Sequence, residues 1–404
     1  MLRLSLMRFL DRCAGTALCA FLDCVDIAAH PFIRAGAKSA REPCGPTAVV
    51  KLWGMGSVIL SAPALKAIRR GFPKSKIVYL TFSENVPVVD ALRMADEIIP
   101  LRRSGLMAFS MDVLRAVRRL RRLRVRRTID LEFVSRFTAI LMYASGAPER
   151  IGFSLPRMYR GNRLLTTPVF YNMYAHIVVS WLELARAAGA GEARIEEFLG
   201  APLLEARKEW RESLWNTLER RGIRHGEEMV AVNVNAGEIG VERRRWPAGH
   251  FESLVEETAA RHPEVRFVFT GSASESSYVA RVMAGIRGAR MSSLTGLLSP
   301  EELIALLGEV RLLITNDSGP LHMAAAVGTR TVSFFGPESP VIYGPLGTGH
   351  TVFYRGCYCS PCHNMFNAKE YRCPYDLRCL REICPSEVLE VVDREIRNRA
   401  VPQR

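Results

Sequence analysis

Residues 314–336 constrain the fold more than any other stretch of the chain. Leu312 to Thr315 form a short apolar run of the kind a buried parallel strand needs. Asn316, Asp317 and Ser318 are turn and N-cap residues. Gly319 lets backbone approach a ligand closely, and Pro320 suits a first helical turn, where no N–H is required. Met323 to Val327 is small and apolar, Gly328 ends the helix, and Thr331 to Phe335 is the next strand. Strand, tight turn, helix and strand in so few residues predict a parallel βαβ unit whose helix starts at the carboxyl end of a strand. The N–H groups around 318–322 then face outward and form an anion site suited to a phosphate or diphosphate. A ligand-free turn would use the same residue types. His322 speaks against that reading. It falls in the first helical turn, on the open end beside Asp317, where a core histidine is not needed.

A chain of 404 residues predicts two domains, and an apolar fraction of 48% supports large cores and excludes general disorder. The net charge of +14 points to an anionic partner, whether nucleic acid, an acidic membrane surface or a phosphorylated substrate. Cys13, Cys19, Cys24 and Cys44 lie near the start and the other six of the ten cysteines lie between 357 and 384. A small disulfide scaffold is therefore excluded. No stretch reaches the ~18–20 apolar residues of a membrane span. Arg3 and Arg8 precede a short apolar run from Ala14 to Leu22, flanked by Asp11, Arg12 and Asp23, and no small-residue cleavage site follows. Residues 1–30 are expected to form an amphipathic helical extension rather than a signal peptide. Packing on the first domain and lying on a membrane surface both suit it.

A linker over 35–47 leads into strand, glycine turn, helix and strand: Thr47 to Leu52, Trp53 to Ser57, Val58 to Arg70 with a bend at Pro63, and Lys76 to Thr81. This opens a doubly wound sheet. Gly54-x-Gly56 is not completed to Gly-x-Gly-x-x-Gly, so a dinucleotide fingerprint is not supported. Residues 96–100 read as a strand. A basic helix over 109–127 carries eight arginines between Arg115 and Arg127, with Leu114, Val117, Leu120 and Leu123 as its buried face. Those arginines form either a solvated face or an anion-facing rim, with Arg118 and Arg122 meeting a membrane or glycolipid. No aromatic residues interleave with them and no DNA-binding motif accompanies them, so nucleic acid is not expected as a partner. Thr128 to Phe133 is a strand ending in the carboxylates Asp130 and Glu132, and Ser135 opens the next helix. His176 lies in a helical run over 172–188 and reads as a packing histidine. Five parts result: an extension and linker over 1–46, an α/β domain over 47–205, a helical junction over 206–228, a second α/β domain over 229–385, and a final helix over 386–404 expected to pack back on the first domain.

The stretch at 314–336 resembles the signature of glycosyltransferase family 9, the bacterial heptosyltransferases. That pattern runs Asp-Ser/Thr-Gly-x-x-His-x-x-Ala-Ala, then Gly-Thr, then Phe-Gly-Pro, matched here by Asp317, Ser318, Gly319, His322, Ala325, Ala326, Gly328, Thr329, Phe335, Gly336 and Pro337. Pro63-Ala64-Leu65, Phe72-Pro73, Arg150-Ile151-Gly152-Phe153 and Arg244-Arg245-Trp246-Pro247 match further family segments, so the resemblance spans roughly 48–385. It implies an α/β fold of the GT-B type, two facing Rossmann-like domains with a cleft between them. It also implies a metal-independent, inverting glycosyltransferase that needs no cofactor. Such an enzyme moves heptose from a nucleotide-diphosphate sugar, ADP-heptose, to a lipopolysaccharide-core or related anionic glycolipid. The implied location is the cytoplasm, with peripheral contact to the cytoplasmic face of the inner membrane.

The same resemblance implies site residues. Asn235, Ala236 and Gly237 fall in the first donor loop, and Arg244 takes the place of a lysine on the donor phosphate. Glu275 matches a carboxylate holding the ribose, and Thr295 lies where the base is contacted. Asp317, Ser318, Gly319 and His322 complete the donor side, and Gly56 and Arg136 belong to the acceptor side. One departure matters: Ser57 stands where the family has the aspartate taken as general base. A serine hydroxyl cannot act as a carboxylate-like base at neutral pH. Glu132, at the family's glutamine position and at a strand's carboxyl end, is the expected base, with Ser57 positioning a substrate and Glu84 as the other candidate. Two other readings stay open: a GT-B enzyme with another donor or an epimerase activity, and a catalytically silent binder of glycan or nucleotide. Many family members carry a similar cysteine cluster. For Cys359, Cys362, Cys373 and Cys379, structural zinc, disulfide pairing and reduced packing thiols all remain open.

Overall fold

The computed structural model describes residues 11, 13–22, 45–133, 135–155, 164–236, 241–364 and 372–398. The chain divides into two compact units, Met1–Ile195 and Glu196–Arg404, so the boundary lies earlier than the expected 205/206.

Unit 1 begins with a helical segment, α1, over residues 13–22. There follow β1 (Thr47–Val50), α2 (Met55–Leu60), α3 (Ala62–Gly71), β2 (Ile77–Phe82), α4 (Val86–Leu92), β3 (Glu97–Leu101), α5 (Leu106–Arg122), β4 (Arg127–Asp130), α6 (Arg136–Ala144), β5 (Glu149–Ser154), β6 (Thr167–Phe170) and α7 (Ile177–Ala187). All six strands are parallel, in the order β3-β2-β1-β4-β5-β6. Every residue of β1, β2 and β4 is buried, as a sheet covered by helices on both faces requires. The predicted bend near Pro63 is a break at Ser61, whose backbone serves as C-cap of α2 and N-cap of α3.

Two expectations for this unit are corrected. The basic helix starts three residues earlier and ends five earlier than the reading over 109–127, and Arg127 opens β4 instead. Its buried residues are Phe109, Asp112, Ala116 and Leu120, whereas Leu114 is 48% exposed. Leu120 is buried as expected and Val117 and Leu123 pack partly buried against the same core, so of the four only Leu114 leaves the buried face, as a spacing of three drifts on a helix of 3.6 residues per turn. His176 does not sit inside a helix over 172–188. It is the N-cap of α7, and its Nδ1 accepts from the Val178 N–H at 3.3 Å. Of the two placements open for the N-terminal extension, the described part packs on the first domain. Cys19 is fully buried with Ala139 and Leu164, and Leu22 lies against the same cluster.

Unit 2 contains α8 (Lys208–Arg220), β7 (Met229–Asn233), α9 (Ala248–Arg261), β8 (Arg266–Phe269), α10 (Ser276–Gly285), β9 (Arg290–Ser293), α11 (Pro300–Glu309), β10 (Leu312–Asn316), α12 (Gly319–Val327), β11 (Arg330–Phe335), α13 (Pro340–Tyr343), β12 (His350–Tyr354), α14 (Arg378–Arg381) and α15 (Pro385–Arg397). Its strands are also all parallel, in the order β12-β11-β10-β7-β8-β9. Read from β9 inward, this is the order of unit 1. The predicted strand, turn, helix and strand at 312–335 is β10, α12 and β11, and Gly328 closes α12 at φ 85° in the left-handed region. The final helix is corrected. Val388, Leu389, Val392 and Ile396 of α15 belong to the unit 2 core with Trp246, Phe251 and Phe334, so α15 closes its own unit. Its apolar face recurs at i, i+1, i+4 and i+8 and is consumed there.

Candidate active site

In a doubly wound sheet, ligands bind beyond the carboxyl ends of the strands where the strand order reverses. That point lies between β1 and β4 in unit 1 and between β7 and β10 in unit 2. Both points carry buried polar networks.

In unit 1, Glu132 lies just past β4 and is 6% exposed. Its Oε1 accepts from Lys51 Nζ at 2.8 Å, from the Leu52 N–H at 2.6 Å and from the Trp53 N–H at 2.9 Å. Lys51 is itself buried and also donates to the Trp53 carbonyl at 2.7 Å. One carboxylate oxygen therefore ties the end of β1 to the end of β4. Among the described residues every hydrogen bond to this carboxylate falls on Oε1.

Asp130 lies directly behind it. Its Oδ1 accepts from the Glu132 N–H at 3.0 Å and its Oδ2 is 2.5 Å from Thr138 Oγ1. Thr138 also donates to the Ser135 carbonyl at 3.0 Å. Burial, reinforced by the Glu132 charge, outweighs the hydrogen bonds from Thr138 and the Glu132 N–H and pushes the Asp130 carboxyl up to about 8. A carboxyl whose folded value is raised from 3.8 contributes stability that is complete below 3.8 and lost as pH rises through about 8. Asp130→Asn keeps the shape and cannot ionise. The prediction is that its melting temperature, relative to wild type, climbs between pH 5 and pH 8. A difference that stays flat across that window would show that Asp130 does not titrate there.

The other unit 1 candidates are spread around this centre. Gly56 is buried and Ser57 half-buried in the first turn of α2, after Gly54 at φ 80°. Glu84 is paired with Arg103 at 2.9 Å, and Arg103 packs over the rings of Trp53 and Phe82. Arg136 opens α6 and pairs with Asp11 at 3.7 Å, while Asp11 Oδ1 accepts from the Phe137 N–H at 2.7 Å. An acidic side chain just before α1 thus caps α6. Arg136 is engaged by the protein's own carboxylate as well as standing near the site.

In unit 2, Arg244 donates to Asp317 Oδ2 at 2.6 Å and to the Asp317 carbonyl at 2.7 Å. The side chains are 15% and 8% exposed, a buried ion pair. Burial works against the Arg244 charge, but Asp317, with Glu338 further off, outweighs it, so the pKa of Arg244 lies above the ordinary value. Asn316 Oδ1 accepts from the Trp246 N–H at 2.8 Å, and its Nδ2 donates to the Val234 and Asn235 carbonyls. One amide therefore fixes the loop after β7 and the loop carrying Arg244 to the end of β10. Ser318 occupies the N-cap position of α12, but its hydroxyl makes no capping bond. It lies 3.1 Å from Asn233 Nδ2 and 3.0 Å from Thr315 Oγ1, so the expectation of Ser318 as a side-chain cap is corrected. Gly319 opens α12 and His322 is buried in its first turn.

Asn235, Glu275 and Thr295 also come together. A Cβ placed on Gly271 would lie 2.7 Å from Asn235 Nδ2, 3.2 Å from Thr295 Cγ2 and 3.4 Å from Glu275 Oε2, so the three converge on this glycine and a side chain there would crowd them. Glu275 Oε2 accepts from the N–H and hydroxyl of Ser272, each at 2.8 Å. Ala236 is buried beside Asn235, and Gly237 lies outside the described residues. Arg245, not singled out in the sequence, stacks on Tyr278 at 3.8 Å and donates to Asn235 Oδ1 at 3.3 Å. A second arginine beside the phosphate candidate was the available signal. Lys51 was missed too, although a lysine closing an apolar strand signals a buried partner.

Among the described residues no three His, Cys, Asp or Glu side chains form a metal-holding group. The zinc reading of Cys359, Cys362, Cys373 and Cys379 is therefore not supported by their placement. Cys379 is buried, and burial, with the other sulfurs nearby, pushes its thiol up to about 12, which keeps it protonated.

These arrangements match known proteins. Residues 113–371 match the model of glycosyltransferase family 9 (heptosyltransferase). The chain is 21% identical over 311 residues to lipopolysaccharide heptosyltransferase 3 of Escherichia coli, covering 75% of this chain and 87% of that one. The crystal structure of a family 9 glycosyltransferase from Veillonella parvula superposes with a TM-score of 0.72 at 21% identity, over 87% of this chain and 97% of that one. The ADP-heptose lipopolysaccharide heptosyltransferase II of E. coli gives 0.66 at 20% identity, over 87% and 98%. The two parallel sheets are thus those of a GT-B fold, and the chain belongs to glycosyltransferase family 9, the heptosyltransferases.

Proposed function

We propose that the protein transfers a heptose from ADP-heptose to a lipopolysaccharide-core or related glycolipid, with inversion and without a metal. The Arg244–Asp317 pair at the start of α12 is the observation that carries this reading. A fixed cation beside a helix N-terminus can bind a diphosphate and stabilise the charge that develops as it leaves. Asn235, Glu275 and Thr295 around Gly271 suit the nucleoside end of the donor. In unit 1, Glu132 takes the proton of the acceptor hydroxyl on Oε2, the acceptor's oxygen attacks the anomeric carbon, and ADP departs. Ser57, Gly56 and Arg136 position the acceptor. The acceptor is anchored in a membrane, so the enzyme works at the cytoplasmic face of the inner membrane.

The test is direct. ADP-heptose should raise the melting temperature of the purified protein more than UDP- or GDP-sugars do, and should release ADP when a deacylated core oligosaccharide is added. Donor binding without any turnover would favour the silent-binder reading suggested by Ser57. A larger shift with another nucleotide sugar would reassign the donor.

A further inference from the structure

Helix α5 carries a surface that the transfer chemistry does not use. Its core-facing residues are Phe109, Asp112, Ala116 and Leu120. On the opposite side Met107, Met111, Leu114, Arg118 and Arg122 follow one another at helical spacing and form one ridge. Met107 is 79% exposed, Met111 47% and Leu114 48%, with Leu106 beside them at 55%. The ridge is thus apolar over its first two turns and cationic over the next two. Arg118 and Arg122 are exposed and hold no ion pair among the described residues. On the flank nearer the sheet the balance differs. There Arg102, Arg115 and Arg119 line a cavity of about 450 Å³, but Asp112 pairs with the first two and Glu97 with the third and with Lys76. Those cations are tied to carboxylates, whereas Arg118 and Arg122 on the ridge have no carboxylate partner among the described residues.

We infer that this ridge seats the protein on an anionic lipid bilayer, independently of which sugar it transfers. Leu106, Met107, Met111 and Leu114 enter the boundary between headgroups and acyl chains, while Arg118 and Arg122 meet lipid phosphates. A single helix face that changes from apolar to cationic matches a surface that changes from hydrocarbon to phosphate with depth. Unbranched methionines also adapt to a fluid surface. A second copy of the chain fits less well, because antiparallel self-pairing would set apolar residues against arginines and parallel pairing would set arginines against arginines.

The experiment is flotation of the full chain with acceptor-free vesicles of phosphatidylcholine alone or mixed with phosphatidylglycerol. Wild type should float with the mixed vesicles at low salt and release as salt rises. Each of Arg118→Glu and Arg122→Glu should weaken partitioning by about fivefold or more, the worth of one basic residue near an anionic surface. Met107→Glu with Met111→Glu should abolish flotation even at low salt, and Met107→Leu with Met111→Leu should retain it. These side chains are exposed, so thermal unfolding and ADP-sugar binding should stay as in wild type in all variants. Flotation unaffected by the double glutamate change overturns the inference, as does its absence from wild type at low salt. So does a wild-type dimer that the glutamates dissociate while no vesicle binding is seen.

Discussion

Glu132→Gln is expected to lower turnover by roughly 10²–10⁴-fold while leaving donor affinity close to wild type. Glutamine is nearly the same shape, and its amide oxygen can still accept from Lys51 and from the Leu52 and Trp53 N–H groups that now meet Oε1. The link between β1 and β4 therefore survives, and only the proton-accepting second oxygen is lost. The donor is assigned to the other unit, so calorimetric binding of ADP-sugar should not change. Single-turnover kinetics and calorimetry on the same preparation separate the two quantities. Turnover near wild type would remove Glu132 as base. Glu84 would inherit the role only if it left Arg103, to which it is now paired.

The second large effect is expected at the buried pair of unit 2. Asp317→Ala and Arg244→Ala should each destabilise the fold by about 3–5 kcal/mol, because each leaves a buried charge without its partner. The Arg244 change should also cost roughly 1.5–3 kcal/mol of donor affinity through a lost charge-assisted contact to the diphosphate. Urea unfolding measures the first quantity and calorimetry the second. The double variant should lose much less stability than the sum of the singles, since it removes both charges together. Additive losses would mean that the two side chains do not act as a pair. Unchanged donor affinity in both single variants would place the diphosphate elsewhere.

The βαβ unit at 312–335 is legible in sequence because each local signal agrees: an apolar run, turn residues, proline in the first turn and glycine at the end. The donor-side residues are legible only through family resemblance, since nothing in spacing says that Asn235, Glu275 and Thr295 converge on Gly271. What escapes reading is pairing at a distance. Lys51 and Glu132 are far apart in sequence, as are Arg244 and Asp317, and only the strand order joins them. The same blindness explains α15. Its apolar face is plain in the sequence, but which core receives that face is a tertiary fact. Capping of α6 by Asp11 is equally silent, because a cap supplied from outside the helix leaves no local pattern.

The shared strand order of the two units bears on their ancestry. In each sheet a carboxylate just past the fourth strand in chain order, Glu132 or Asp317, is neutralised by a cation borne after the first, Lys51 or Arg244. The same electrostatic plan is written twice, once with the lysine buried against the strand end and once with the arginine reaching in from a loop. A duplicated half-gene that kept its hinge of charge and then diverged would leave this signature.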